Sequence, residues 1–270
     1  MGGQALTLRA GIEGIGLIGP GLDGWSLSSG LLAGTSPYAS RPTVLPAPDL
    51  LPPAERRRVG RVVKLALATG LQATGSAGVD AAELPAVFAS SGGDGHNCHE
   101  ICVALTESTP QISPTRFHNS VHNAAAGYWS IATGAKEPSN ALCAHDASFS
   151  AGLLEAMAQV VVDQTQVLLV AYDAQYPPPL YQCRPIPDAF GVAFVLSPNA
   201  GVRTIAQVAV SIGGEAGDRM MDAVLEALRA SIPAARCLPL LQKLACRENA
   251  CVHLDYLDRQ CLTVEVTPCR

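Results

Sequence analysis

The stretch ALCAHDASFSAGLLEAMAQVVVDQTQVLLVAY, residues 141–172, decides the fold class. Ala141 to Ala144 reads as a short strand. Ser148 to Val162 reads as a helix, because Leu153, Leu154, Met157, Val160 and Val161 recur at helical spacing and give it one inward face. Gln166 to Tyr172, apolar from Val167 onward, has the length and continuity of a central strand buried on both faces. A strand, a helix and a strand in succession are the unit of a layered α/β structure.

The same grammar extends in both directions. Upstream, Ala5 to Ile18 alternates small and β-branched residues and runs into Gly19-Pro20-Gly21, a strand ending in a turn, and Gly24 to Leu32 suits a short helix. Pro42, Pro46, Pro48, Pro52 and Pro53 forbid helix or central strand, so residues 41–53 are a surface excursion. Glu55 to Ala77 is predicted as one helix, with Val59, Val62, Val63, Leu67 and Leu71 on its apolar stripe. Pro85 to Ser90 is a strand feeding the loop Gly92-Gly93-Asp94-Gly95; helices follow at Cys98 to Glu107 and Ala124 to Thr133. Downstream come strands at Ala189 to Leu196 and Arg203 to Ile212 and helices at Asp218 to Ser231 and Leu238 to Ala245. The chain closes with a hairpin, Cys251 to Tyr256 and Cys261 to Val266, turning through residues 257–260. The expectation is a layered α-β-α fold with a mixed, mostly parallel sheet and a C-terminal helix plus β-hairpin.

Composition narrows the function classes. At 270 residues and 48% apolar content the chain can bury a large core without disulfide or metal staples, and disorder is excluded. A net charge of −5, with no cluster of Lys and Arg beyond Arg56-Arg57-Arg58, argues against nucleic acid as a partner. No run approaches the ~20 apolar residues that cross a bilayer; the greasiest stretch is interrupted at Asp163 to Gln166. The N-terminus lacks the basic and apolar regions of a secretory signal, so a cytoplasmic location is expected. Nine cysteines without framework spacing then read as reduced thiols that pack.

Three constellations compete for chemistry. His96, Cys98, His99 and Cys102 are ligand types that zinc prefers, but no second ligand pair stands at usable spacing, and a buried helix start explains them better; no metal and no cofactor are expected. Cys143, His145, Asp146 and Ser148 bring thiol, imidazole, carboxylate and hydroxyl close together. Triad members normally come from distant parts of a chain, no G-x-S-x-G elbow is present, and Asp146 or Ser148 suits an N-cap for the following helix. Phe117 to Asn123 is a polar loop whose His118 and His122 lack the acid of an H-E-x-x-H site.

In order along the chain, these elements resemble the N-terminal half of a β-ketoacyl synthase of the thiolase superfamily. The pieces are Gly14-Ile-Gly-Leu-Ile-Gly-Pro-Gly with Leu31-Leu-Ala-Gly-Thr-Ser, then the helix from Arg61 ending Gly75-Ser-Ala-Gly-Val-Asp, then Phe88-Ala-Ser-Ser-Gly-Gly-Asp-Gly. Asn119-Ser-Val-His-Asn-Ala-Ala-Ala-Gly-Tyr-Trp-Ser-Ile follows, and Asp188-Ala-Phe-Gly-Val-Ala-Phe-Val-Leu completes the series. The resemblance implies a truncated thiolase-like fold, with residues 1–200 as the ketosynthase-like half and residues 201–270 completing the same domain.

The departures from that family carry the functional content. Counting back from Val167 puts the family's nucleophilic cysteine at Asp146, a poor acyl acceptor, and Cys143 lies three residues early, on the preceding strand. The family's catalytic histidines belong to its C-terminal half, and after residue 200 only His253 occurs, with neither motif. No catalytic residue is therefore expected. The resemblance implies a chain length factor of the aryl polyene or xanthomonadin type, pairing with a full-length ketosynthase and meeting acyl carrier protein indirectly. Cys143, His145, Asp146, Ser148 and Phe149 would line a pseudo-active site or acyl pocket. Asn119, His122, Asn123, Tyr128, Trp129, Ala141 and Leu142 would face the partner. The alternatives are a stand-alone acyl- or carrier-protein-binding module, or a thioester hydrolase using Cys143, His145 and Asp146.

Overall fold

The computed structural model describes residues 6–213, 216–257 and 260–269. Its strands are β1 (Leu8–Gly19), β2 (Leu22–Asp23), β3 (Ala86–Ala89), β4 (Ser139–Leu142), β5 (Val167–Asp173), β6 (Phe190–Ser197), β7 (Ala206–Gly213), β8 (Ala250–Asp255) and β9 (Cys261–Pro268). Its helices are α1 (Trp25–Leu32), α2 (Pro53–Arg56), α3 (Arg61–Ala77), α4 (Gly95–Leu105), α5 (Pro114–Asn119), α6 (Ala124–Thr133), α7 (Ser148–Asp163), α8 (Leu180–Cys183), α9 (Ala223–Ser231) and α10 (Leu238–Cys246).

One nine-stranded sheet runs in the order β4-β3-β5-β6-β1-β7-β9-β8, with β2 folded back on β1. The central strands β5 and β6 are buried at every position, which is why their sequences are apolar throughout instead of alternating. The layered, mixed sheet is as expected, but its parallel share is smaller. Only β3 pairs in parallel, with β4 and with β5; β5–β6, β6–β1, β1–β7, β7–β9 and β9–β8 are antiparallel. Crossover helices return the chain to the same end of the sheet only around β3, β4 and β5, and elsewhere β1 is inserted between β6 and β7 in the reverse direction.

Helices cover both faces. On one side α3 and α6 enclose a core of Val63, Leu65, Phe88, Trp129 and Val170. On the other side lie α1, α7, α9 and α10, whose core joins Leu153 and Met157 of α7 to Phe194 of β6, Leu241 of α10 and Leu254 of β8. Residues from both sides of position 200 thus share one core. Glycines set the close approaches: a Cβ at Gly14 or Gly16 of β1 would strike the carbonyls of Ala73 and Thr69 in α3. Gly70 of α3 likewise leaves 2.6 Å between an added Cβ and the Trp129 ring.

The proline-rich excursion is tied down at Thr43, which donates its N–H to Asp188 Oδ2 at 2.8 Å and its hydroxyl to the Ala189 carbonyl at 2.8 Å. The single helix expected over 55–77 is instead α2 and α3, because Gly60 adopts an extended backbone and lies against Asp94. The helix expected from Asp218 starts at Ala223, where Asp222 accepts N–H bonds from Val224 and Leu225 at 2.8 and 2.9 Å. The C-terminal strands pair antiparallel as read from the sequence, although residues 258 and 259 of their turn, like the N-terminal residues through Ala5, lie outside the described residues.

Candidate functional site

Strand β4 ends at Leu142, and after Cys143 and Ala144 the chain enters α7 through a 3-10 turn, His145–Ala147. His145 takes a left-handed backbone, φ 52°, a conformation that L-residues rarely adopt. Ser148 secures the turn from below: its hydroxyl donates to the His145 carbonyl at 2.7 Å and accepts the Ala144 N–H at 3.1 Å. The turn therefore projects residues 145 and 146 at the N-terminus of a sixteen-residue helix, where backbone N–H groups and the helix dipole favour negative charge.

Asp146 is the carboxylate at that point, and it does not cap the helix. Its Oδ1 accepts from Arg184 Nη2 at 2.7 Å and its Oδ2 from Arg236 Nη2 at 2.9 Å. The side chain is 41% exposed, so the two ion pairs sit at a half-open mouth. Beyond Asp146, Arg236 Nη1 reaches Asp255 Oδ2 at 3.1 Å. Arg229, which is buried, reaches the same oxygen at 3.3 Å and holds Glu226 through two bonds of 2.8 Å. Those bonds to Arg229 hold the Glu226 carboxyl down at about 2.

Cys143, His145 and Asp146 do not assemble into a hydrolytic centre. The Cys143 thiol donates to the Ser91 carbonyl at 3.1 Å. The His145 ring Nε2 is contacted by the Arg184 guanidinium, which can only donate, so that nitrogen's lone pair is engaged. His145 Nδ1 lies 3.6 Å from Asp146 Oδ1. The thiol is taken by a backbone carbonyl while His145 and Asp146 share Arg184, whereas nucleophilic catalysis needs the nucleophile within hydrogen-bond reach of its base. Phe149 is buried edge-on against Phe194, with ring centroids 6.1 Å apart, and is a core residue.

The residues expected to face a partner separate into two groups. Tyr128 and Trp129 are 2% and 1% exposed and belong to this chain's own core under α3, because the small residues of that helix leave room for the Trp129 ring; their side chains are not available to a partner. Asn119 is also buried, donating to the Arg58 carbonyl at 2.8 Å and accepting from Tyr128 at 3.1 Å. Asn123 and Ala141 are exposed and His122 and Leu142 half-buried. His122 Nε2 donates to the Ser90 carbonyl at 3.0 Å. Strand β4 is the last strand on its side of the sheet, and Ser139, Asn140 and Ala141 are all exposed. Between β3 and β4 in the sequence, an arm made of α4, α5 and their flanking loops exposes Val103, Leu105, Ile112, Phe117 and Val121.

At the start of α4 the expected buried cluster is open: His96 and Cys102 are exposed and Cys98 and His99 half-buried, while Asn97 donates to the Arg116 carbonyl at 2.6 Å and burial together with Asp94 and Cys102 pushes the Cys98 thiol up. Among the described residues no three His, Cys, Asp or Glu are arranged to hold a metal ion. No helix among them is long and apolar enough to cross a membrane.

Sequence reasoning missed the partners of the turn and a second carboxylate. Asp173, at the end of β5, is buried and accepts from Ser91 N–H at 2.8 Å, Ser91 Oγ at 2.7 Å, Ser90 Oγ at 3.3 Å and Ala234 N–H at 2.8 Å. Burial pushes its pKa up to about 6 against those four donors. A single Asp ending an apolar strand, and a single Arg within the apolar run 232–241, were the available signals, since charges in such settings are paired.

A β-ketoacyl synthase, N-terminal domain, family model matches residues 33–250, well over half the chain, and the chain belongs to that family. No curated protein matches the sequence. Among solved structures, the chain is similar to one from a complex of the ketosynthase ApeO with its chain length factor ApeC from Xenorhabdus doucetiae. That match has 23% identity and a TM-score of 0.72, covering 96% of this chain and 99% of the other. It is also similar to a chain in a type II polyketide synthase complex of acyl-carrier protein and ketosynthase bound to the hexaketide, with 10% identity, a TM-score of 0.75 and coverage of 98% and 100%. Against the ketosynthase from module 1 of the bacillaene synthase of Bacillus amyloliquefaciens FZB42, at 13% identity and a TM-score of 0.56, it spans 78% of itself and 47% of that chain. The likeness is one of fold, and its lengths agree with the first two chains and not with the third.

Proposed function

We propose that this chain is a non-catalytic, chain length factor-like subunit that pairs with a full-length ketosynthase in the cytoplasm. The pair would elongate polyene-type chains carried on an acyl carrier protein. The observation that carries this reading is Asp146: the turn where the family places its nucleophile presents a carboxylate already neutralised by Arg184 and Arg236. A carboxylate so held is neither a thioester acceptor nor a free base. The partner face is the edge of β4 and the α4–α5 arm. An unpaired edge strand is a template for pairing, and the exposed apolar residues Val103, Leu105, Phe117 and Val121 are ones a second protein would cover. The likeness to a chain from the Xenorhabdus doucetiae complex, a ketosynthase with its chain length factor, supports the same partner.

Reconstitution tests it. Given acyl and malonyl carrier-protein thioesters, the chain alone is expected to form no condensation product, and addition of the cognate ketosynthase to restore elongation. A condensation rate of the isolated chain that Asp146→Ala abolishes would contradict the reading. Capture of the carrier protein by the chain without any ketosynthase would favour a stand-alone binding module instead.

A further inference from the structure

Charged residues from five separate segments alternate in sign at the 145–147 turn: Arg184 after α8, Asp146 in the turn, Arg236 in the 3-10 segment Pro233–Cys237, Asp255 at the end of β8, and Arg229 and Glu226 on α9. Arg236 occupies the centre, with one guanidinium nitrogen on Asp146 at 2.9 Å and another on Asp255 at 3.1 Å. Its Nε, like that of Arg184, is buried without a hydrogen-bond partner. The guanidinium thus gives up solvation in order to span two carboxylates 109 residues apart in sequence, 255 − 146. Two further bonds fasten the same surfaces, from Ser150 Oγ to the Asp255 carbonyl at 2.7 Å and from Ala234 N–H to Asp173 at 2.8 Å.

We propose that Arg236 is a positioning residue, the pivot of an ionic latch that clamps the C-terminal segment 229–255 onto the 145–147 turn and holds that turn closed. Asp146 is then more than a lost nucleophile. It is the anchor that the C-terminal segment grips, and Arg184 closes the turn from the other side without touching Asp255. The two arginines differ in reach, and this difference makes the latch testable. Loss of Arg236 cuts the link between Asp146 and Asp255 and leaves each carboxylate on its other arginine, whereas loss of Arg184 removes a bond on the turn side alone and leaves that link in place.

The experiment is amide hydrogen exchange by mass spectrometry on the full-length chain and its Arg236→Gln, Arg184→Gln and Asp146→Asn variants. Arg236→Gln is expected to speed exchange at least threefold in peptides covering 143–150 and 250–256, Arg184→Gln and Asp146→Asn mainly in 143–150, and a control, Arg41→Gln, which removes an exposed arginine paired with Asp23 outside the network, in neither. The thermal midpoints of Asp146→Asn, Arg236→Gln and the double variant supply the second measurement, and keep the test open if one variant exchanges too fast to read. A latch requires that the double variant lose less than the sum of the single losses. Additive losses, or exchange that rises by one common factor along the whole chain, would overturn it.

Discussion

Asp173 shows how one residue can hold three parts of this molecule. It ends the apolar strand β5, yet its two oxygens collect donors from the Ser90-Ser91 loop and from Ala234 in the 3-10 segment that carries Arg236. Four donors and no charged partner make it a costly buried anion, and burial pushes its pKa up to about 6 from the ordinary value of 3.8. A raised carboxyl pKa contributes stability that is complete below about pH 4 and is lost as pH rises through about 6. The difference corresponds to about 3 kcal/mol. Urea denaturation of wild type and Asp173→Asn should therefore give a stability gap that changes between pH 4 and pH 7, with wild type losing ground as pH rises. A gap independent of pH would contradict this, because it would mean that the four donors fully offset burial. Glu226 has the opposite sign: held near 2 by Arg229, it contributes stability that is lost only as pH falls from about 4.5 toward 2. At this scale the sequence was half legible. His145, Asp146 and Ser148 stand together in it, but the arginines that decide the state of Asp146 lie 38 and 90 residues away, and spacing does not indicate which of eighteen cations will arrive.

Elements were more legible than their arrangement. Helix α6 falls on the expected 124–133 and α7 on its expected start, because their apolar residues repeat at helical spacing and Gly134 ends the first in a left-handed conformation. The strand order could not be read in the same way, since the seating of β1 depends on contacts 55 to 60 residues apart, such as the Leu17 N–H bond to Gln72 at 3.0 Å. Those contacts make α3 intolerant of bulk beneath it. Gly16→Val is expected to cost about 3 kcal/mol or more by overpacking β1 against Thr69, whereas Gly75→Ala on the same helix, with no atom within 4 Å of its added Cβ, should stabilise slightly. Thermal melts of the two variants decide it, and equal midpoints would contradict the packing described. The α4–α5 arm belongs to this scale too. Phe117→Glu with Val121→Glu, two exposed positions, should leave the thermal midpoint within a few degrees and reduce ketosynthase binding at least tenfold by surface plasmon resonance. Unchanged binding would move the interface elsewhere.

The described residues form one sheet with a core on each face, reaching from the edge strand β4 to the C-terminal hairpin. The chain's low charged fraction, 15%, agrees with a protein that covers part of its surface with another chain. It aligns over nearly the whole of the chains from two ketosynthase complexes and over 47% of a modular ketosynthase. The direct measurement of association is size-exclusion chromatography with mass detection of this chain co-expressed with a full-length ketosynthase. A stable one-to-one complex, heavier than the ketosynthase protomer by 28.0 kDa, is the predicted result. A chain that elutes as a monomer whichever ketosynthase is present would contradict it.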